Sequence, residues 1–378
     1  MTDQNQFLFA CCQVGAETVC KQELLGRYPD FRFAFSRPGF LTFKVPTGTD
    51  TNSFILVSTF ARTWGWSLGK CSGDDSQQLV ADAIEIAGEC DATVIHCWQR
   101  DTHVPGDRNF EPGISPLAQG MGELLLVAMK TKRPQIQLNR RAKPGEHVLD
   151  VVLVEPNQWW IGWHASQTIP QSWPGGVPII EDDGPKISRA WLKACEAILW
   201  GQVPIRPNDV CLEIGSAPGG AAQHLLERGA MVVAVDPGEL DPEIATHKNL
   251  IHIRRRAKSV SRKDVADARW LFVDVNMPPS YSLELIADFA TNSHMHLRGV
   301  VATLKLSNWE LATQIDDFRN QVKDLGFSVV RTRQLAFNRQ EFCLVALRNK
   351  FERRLAPGKS SIAEKGEKPN AVPTSEEE

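Results

Sequence analysis

The sequence predicts an α/β protein: a doubly wound parallel-sheet domain at residues 184–350, preceded by an α+β domain at residues 1–165. Three observations carry this expectation. Residues 209–240, DVCLEIGSAPGGAAQHLLERGAMVVAVDPGEL, read as a buried strand (210–214), a glycine turn (215–220), a helix (221–227) and a second strand (231–235) closed by Asp236. From residue 183 to 350 strand and helix patterns alternate, the signature of a parallel sheet. Residues 6–165 follow another order, with hairpins and separate helices around a core of their own.

In the first part, residues 7–11 alternate like a strand and 16–25 form a short amphipathic helix. Residues 31–35 and 40–45 pair as a hairpin about Pro38 and Gly39. A helix at 79–88, a strand at 93–98 and a helix at 117–130 follow. Residues 147–154 and 159–164 form a second hairpin across the turn sequence EPNQ. Trp159, Trp160 and Trp163 lie along it, so one face belongs to the core and the other could stack on a base. Residues 166–183 are rich in Pro and Gly and read as a linker. Beyond Asp236, strands are expected at 250–253, 270–275 and 299–304, with helices at 282–290 and 308–325. The last strands, 328–335 and 341–347, read as an antiparallel pair across a polar turn near Asn338. Residues 351–378 mix opposite charges with small residues and read as a disordered tail.

Composition narrows the class. A chain of 378 residues with 42% hydrophobic and 23% charged content is long enough for two soluble domains. Its net charge of -3 means that any nucleic acid must be met by local patches. Two runs qualify: residues 130–143 hold six Lys/Arg and residues 248–263 hold seven, with no acid in either. The nine cysteines are odd in number and form no CxxC pair, which opposes a disulfide framework or zinc ribbon and fits a reducing cytoplasm. Residues 1–6 show no signal-peptide pattern, and no run of eighteen apolar residues exists, so no membrane association is expected. His294 and His296 have no acidic or cysteine neighbour, and no metal is expected.

The glycine turn suits an adenosine-containing cofactor: glycines let it approach the backbone, and an acid ending the next strand takes ribose hydroxyls. The turn is not GxGxxG. A Pro-Gly-Gly turn is poorly shaped for a pyrophosphate and is better known from S-adenosylmethionine pockets. Gly215, Ala217, Pro218, Gly219 and Gly220 are therefore assigned to the methionine end and sugar, and Asp236 to the ribose diol.

Four further segments carry a resemblance. SRAWLK at 188–193, LFVD at 271–274, VVATLK at 300–305 and RQEF at 339–342 are similar, in this order, to motifs of the FtsJ-like ribose 2′-O-methyltransferases, as is the Pro-Gly-Gly turn. The resemblance covers roughly residues 186–348 and implies a Rossmann-like, S-adenosylmethionine-dependent domain. It also implies the family's Lys-Asp-Lys-Glu tetrad as Lys193, Asp274, Lys305 and Glu341, and a cofactor contact near Ser188, whose alternative role is a helix N-cap. Within the family the chain most resembles the bacterial 23S rRNA cytidine 2′-O-methyltransferases with an N-terminal THUMP domain. TLKL at 303–306 and the spacing from RQL at 333–335 to RQE at 339–341 are similar to that branch. QIQL at 135–138 with the hairpin after it looks like the end of a THUMP domain, and residues 7–45 look like the ferredoxin-like unit that often precedes one. The partner implied is RNA, 23S rRNA or its precursor. One departure stands out: IRRRAK at 253–258 has no acid where the family meets the adenine amine, and the next acid is Asp264.

The chemistry agrees with these residue types. Methyl transfer is an in-line displacement at a sulfonium methyl, so the protein must align donor and acceptor. A ribose hydroxyl is a weak nucleophile and gains from a nearby base. Lys305 ends an apolar strand, where a lysine is costly unless paired. It is the expected base or orienting group, with Lys193 steadying the hydroxyl and Asp274 and Glu341 fixing both amines. Two other classes compete: a base N-methyltransferase, for which NMPPSY at 276–281 is a broken Asn-Pro-Pro-Tyr motif, and an RNA-binding protein with a degenerate cofactor pocket.

Overall fold

Two mixed sheets of eight and seven strands organise the chain. The computed structural model describes residues 6–181 and 184–348. The tail expected at 351–378 lies outside the described residues.

The first sheet is built from β1 (Gln6–Cys11), β2 (Arg32–Arg37), β3 (Phe40–Val45), β4 (Thr63–Ser72), β5 (Val94–Gln99), β6 (Gln137–Leu138), β7 (His147–Glu155) and β8 (Gln158–Ala165). Their order is β2-β3-β1-β4-β8-β7-β5-β6. Helix α1 (Glu17–Arg27) packs beside β2 and β3, while α2 (Ser76–Ala87) and α3 (Pro116–Lys130) cover the β4–β8–β7–β5 portion. The helix starts obey capping chemistry. The Asp75 side chain accepts from Gln77 N at 2.8 Å, and Ser115 Oγ accepts from Ala118 N at 3.1 Å with Pro116 at the first helical position. Both anticipated hairpins form, β2 with β3 and β7 with β8. Strand β4, which joins the two halves of this sheet, was not anticipated. Its alternation is broken by Gly65 and Gly69 and by a register shift between Ser67 and Gly69. Gly65 is obligatory there, because a Cβ would lie 2.7 Å from the Phe9 ring and 2.8 Å from Asp150 Oδ2.

The second sheet holds β9 (Val210–Ile214), β10 (Met231–Val235), β11 (Leu250–Ile253), β12 (Trp270–Val273), β13 (Gly299–Lys305), β14 (Val329–Arg333) and β15 (Glu341–Leu347), in the order β11-β10-β9-β12-β13-β15-β14. Strands β9 to β13 are parallel; β15 lies antiparallel between β13 and β14. The connecting helices are α4 (Ala190–Gly201), α5 (Gly220–Glu227), α6 (Pro242–Ala245), α7 (Pro279–Thr291) and α8 (Ile315–Asp324). The helix expected at 308–325 opens instead as a 3₁₀ turn, Trp309–Gln314, with Asn308 capping Leu311 N at 3.3 Å. The chain winds outward from β9 to β11, then returns to place β12 on the other side of β9. The switch point between β9 and β12 is where such sheets hold ligands, at the carboxyl ends of the strands.

Residues 166–181 do not behave as a free linker. Gln171, Ser172, Trp173 and Val177 are buried, and the segment lies as a strap between the sheets. Its glycines permit close approach: a Cβ on Gly175 would meet Trp98 at 2.7 Å, and one on Gly176 would meet Arg62 O at 2.6 Å. Arg333 ties the parts together, donating to Arg62 O at 2.9 Å and to Gly176 O at 3.1 Å. No helix among the described residues is long and apolar enough to cross a membrane.

Candidate active site

Each tetrad residue sits at the end of an element. Lys193 lies in the first turn of α4, Asp274 follows β12, Lys305 is the last residue of β13, and Glu341 is the first of β15, in register with Lys305. The parallel run β9–β12–β13 brings these ends to one rim, and the antiparallel β15 returns Glu341 to the same place.

There the four side chains close a square of alternating charge. Lys193 Nζ donates to Asp274 Oδ2 at 2.5 Å and to Glu341 Oε1 at 3.3 Å. Lys305 Nζ reaches Asp274 Oδ1 at 3.0 Å and also donates to Glu341 Oε2. Each carboxylate thus divides its two oxygens between two ammonium groups. Each ammonium has three N–H donors and uses two, leaving one for an incoming oxygen. Glu341 is the deepest member, its side chain 7% exposed, while Lys305 and Asp274 stay open at 24% and 25%. Burial alone would push the Glu341 carboxyl up; Lys193 and Lys305 overcome it and hold it at about 2. Burial pulls Lys305 down, but Asp274 and Glu341 outweigh it and hold the ammonium above its ordinary 10.5. The two carboxylates thus favour the cationic form of Lys305, a direction that spacing in the sequence left open.

Two residues not singled out from the sequence support the square. Asn338, fully buried, donates to Glu341 Oε1 at 3.1 Å while its own oxygen accepts from Leu335 N at 2.8 Å. Glu196, fully buried on α4, accepts from Ala336 N at 2.9 Å and Phe337 N at 3.3 Å and lies 3.8 Å from Arg333. The first domain grips the same loop: Gln13 bonds Asn338 O and, at 2.8 Å, Gln334, and Arg339 donates to Pro105 O at 2.9 Å. The only sequence signal for this support is the polar turn near Asn338 before the last strand.

The glycine turn lies against the square. A Cβ on Gly215 (φ +83°) would fall 2.2 Å from Asp274 O, so the turn passes directly over the end of β12. Gly219 has φ +115° and leads into α5; a Cβ on Gly220 would strike Ser188 Oγ at 2.2 Å. Ser188 therefore packs on the turn, and its hydroxyl also accepts weakly from Ala190 N at 3.3 Å. Pro218 follows Ala217 through a cis peptide bond. Asp236 accepts from Ala217 N at 3.3 Å and Gly238 N at 2.7 Å, one bond per oxygen. The remaining lone pairs of this half-exposed carboxylate suit the two hydroxyls of a ribose, so the donor set fits an adenosyl cofactor. Beneath the turn lies Glu213, which sequence reading left as an ordinary strand residue. Ser216 Oγ donates to it at 2.7 Å, and burial raises its carboxyl to about 8.

The basic runs are only partly free. In the first, Arg140 is clamped by Glu146 at 2.7 and 2.8 Å. In the second, Arg254, Lys258 and Arg262 pair with Glu239, Glu284 and Asp288. Arg255, Arg256 and Lys263 remain exposed beyond β11, and Lys248 is exposed before it. No acid stands at 254–258. The tryptophan hairpin is core on one side: Trp159 is fully buried, and Trp160 donates to Ser67 Oγ at 2.8 Å and stacks on Phe35.

The doubly wound sheet, the turn over Asp274 and the charged square together define a methyltransferase domain. The family model of the FtsJ-like methyltransferases matches residues 187–340; this domain is similar to that family, and the cofactor it points to is S-adenosylmethionine. Among curated relatives, the ribosomal RNA large subunit methyltransferase M of Teredinibacter turnerae is 25% identical over 346 residues, covering 84% of this chain and 91% of that protein. The protein of the same name from Methylococcus capsulatus is 30% identical over 178 residues, 45% of this chain and 49% of the relative. An uncharacterized protein of Methanocaldococcus jannaschii is 36% identical over 119 residues, 31% of this chain and 32% of its own. The chain thus spans half or less of the last two. Among solved structures, a fibrillarin pre-rRNA processing protein from Methanococcus jannaschii overlaps 52% of this chain and 81% of its own at 14% identity, with a TM-score of 0.35.

Proposed function

We propose that the chain transfers a methyl group from S-adenosylmethionine to a ribose 2′-hydroxyl of RNA, at a cytidine of 23S rRNA or its precursor. The observation that carries this reading is the closed Lys193–Asp274–Lys305–Glu341 square beside the glycine turn. A base N-methyltransferase has no use for two ammonium groups held by two carboxylates. The large-subunit rRNA methyltransferase relatives support an RNA substrate of this kind.

The bound cofactor supplies an electrophilic sulfonium methyl. Asp236 and the 215–220 turn would hold its sugar and methionine end. The free N–H of Lys193 and the Lys305 amine hold the 2′-oxygen in line. Lys305 in its neutral form would accept the proton that the 2′-hydroxyl loses as its oxygen takes the methyl, the donor sulfur being left as a neutral thioether. Because Lys305 rests as a cation, it first loses a proton to solvent, a loss favoured by Lys193 and the positive donor and opposed by the two carboxylates. The first domain, read as a THUMP-like RNA-binding unit, selects the RNA and steadies the loop that carries Asn338 and Glu341. Arg255 and Arg256, just past the carboxyl end of β11, meet phosphates near the pocket.

Substitution Lys305→Ala tests the reading. Transfer to unmodified 23S rRNA transcript is expected to fall by at least about 100-fold, with cofactor affinity by calorimetry within a few-fold of wild type. Retained transfer contradicts the role given to Lys305.

A further inference from the structure

Far from the square, the first sheet brings together three buried side chains that the sequence keeps apart. His96 on β5 is in register with Asp150 on β7, and Asp150 lies opposite Gly162, two residues before His164 on β8. His96 and Asp150 are 0% exposed and His164 is 1% exposed. One nitrogen or oxygen from each lies within 4.8 Å of the others.

The orientation of the rings is informative. His96 Nε2 is bonded to Arg140 O at 3.0 Å, and His164 Nε2 to Gln171 O at 2.8 Å. Both histidines thus direct the Nε2 edge at a backbone carbonyl, the outer bond that metal-ligating histidines make. His164 Nδ1 contacts Asp150 Oδ2 at 2.6 Å. The other two polar atoms, His96 Nδ1 and Asp150 Oδ1, are buried with no hydrogen-bond partner. Both are acceptors when His96 donates through Nε2, so neither can satisfy the other. Leaving two such acceptors dry and unpaired costs on the order of 1–3 kcal/mol each.

We propose that His96, Asp150 and His164 form a structural divalent transition-metal site of the zinc class. Two imidazole nitrogens and a carboxylate oxygen suit Zn²⁺, with bonds of about 2.0–2.2 Å. The ion ligates the orphaned His96 Nδ1 and the Asp150 carboxylate, and replaces the proton between His164 Nδ1 and Asp150, which leaves to solvent. The Nε2–H groups keep their backbone carbonyls. Through Gln171 O, the site would pin the strap at 166–181 to the sheet, and the strap in turn receives Arg333 through Gly176 O.

The test loads the purified full chain with excess Zn²⁺, removes free metal by gel filtration and measures bound metal; Co²⁺ is used in parallel for its visible spectrum. About one ion per chain is expected, with strong visible absorption of four- or five-coordinate Co²⁺ carrying nitrogen and oxygen ligands. Zn²⁺ should also raise Tm, and chelation should reverse the rise. His96→Gln keeps a donor for Arg140 O but loses Nδ1; it is expected to lower Zn²⁺ affinity by more than about tenfold with an unchanged circular dichroism spectrum. Wild-type protein emerging metal-free overturns the proposal. So does equal uptake by His96→Gln, or a sulfur-to-cobalt charge-transfer band marking binding at the free cysteines. Because the readout is metal content, it is independent of the methyl-transfer reading.

Discussion

Replacing Glu341 by Gln separates the two tasks of the square. In the folded protein this carboxyl is held at about 2 against an ordinary 4.5, despite burial that opposes ionisation. That gap corresponds to ~3 kcal/mol by which the pull of Lys193 and Lys305 exceeds the cost of burial. Removing the charge therefore takes support from the Lys305 ammonium and lowers its titration. At a given pH below that titration the neutral amine becomes more abundant, while the acceptor that positions both ammonium groups is weakened. Single-turnover transfer between about pH 6 and 10, at saturating cofactor, reads both effects. Wild type is expected to rise about tenfold per pH unit on the acid side. In Glu341→Gln the rising limb should move toward acid. A limb that stays in place, or a wild-type rate independent of pH, refutes Lys305 as the base. Stability gives a companion check with a fixed sign. A lowered carboxyl stabilises the fold above its unfolded value and loses that contribution as pH falls from about 4.5 to about 2. Wild type should thus lose its advantage over Glu341→Gln in that window.

Two further outcomes are expected. Glu213, raised by burial to about 8, stays protonated in the fold while the unfolded chain ionises above 4.5. Its contribution is fully present below 4.5 and is lost as pH rises toward 8. Glu213→Gln should therefore gain on wild type across that window by up to ~5 kcal/mol in denaturant unfolding; parallel stability curves contradict this. For the basic run, the double variant Arg255→Ala/Arg256→Ala should weaken binding to 23S rRNA fragments and reduce the slope of log affinity against log salt by about 1–2; an unchanged slope removes these arginines from the RNA surface.

The second domain was legible because its signals are local. The strand-turn-helix at 210–227 follows from an apolar run and four glycine or proline residues, and the tetrad from four short motifs at element ends. What escaped depended on contacts between distant residues. Strand β4 carries glycines demanded by Phe9 and Asp150, and glycines in a sequence read as breaks. The stretch at 166–181 has linker composition for an opposite reason: Gly175 and Gly176 are there because Trp98 and Arg62 leave no room for a Cβ. Glu213, Glu196 and Asn338 look unexceptional one at a time; only burial reveals that each must be protonated, paired or hydrogen-bonded. His96, Asp150 and His164 converge through strand register alone. The sign of the Lys305 shift needed all four positions, because it is a difference between burial and two carboxylates.

The central claim is the acceptor atom, and one measurement addresses it directly. Unmodified 23S rRNA is incubated with the full chain and methyl-labelled S-adenosylmethionine, then digested to nucleosides and also hydrolysed with alkali. A 2′-O-methyl group blocks cleavage of the adjacent phosphodiester. The account predicts label in 2′-O-methylcytidine and in alkali-resistant dinucleotides; label on a base, with every phosphodiester cleaved, contradicts it.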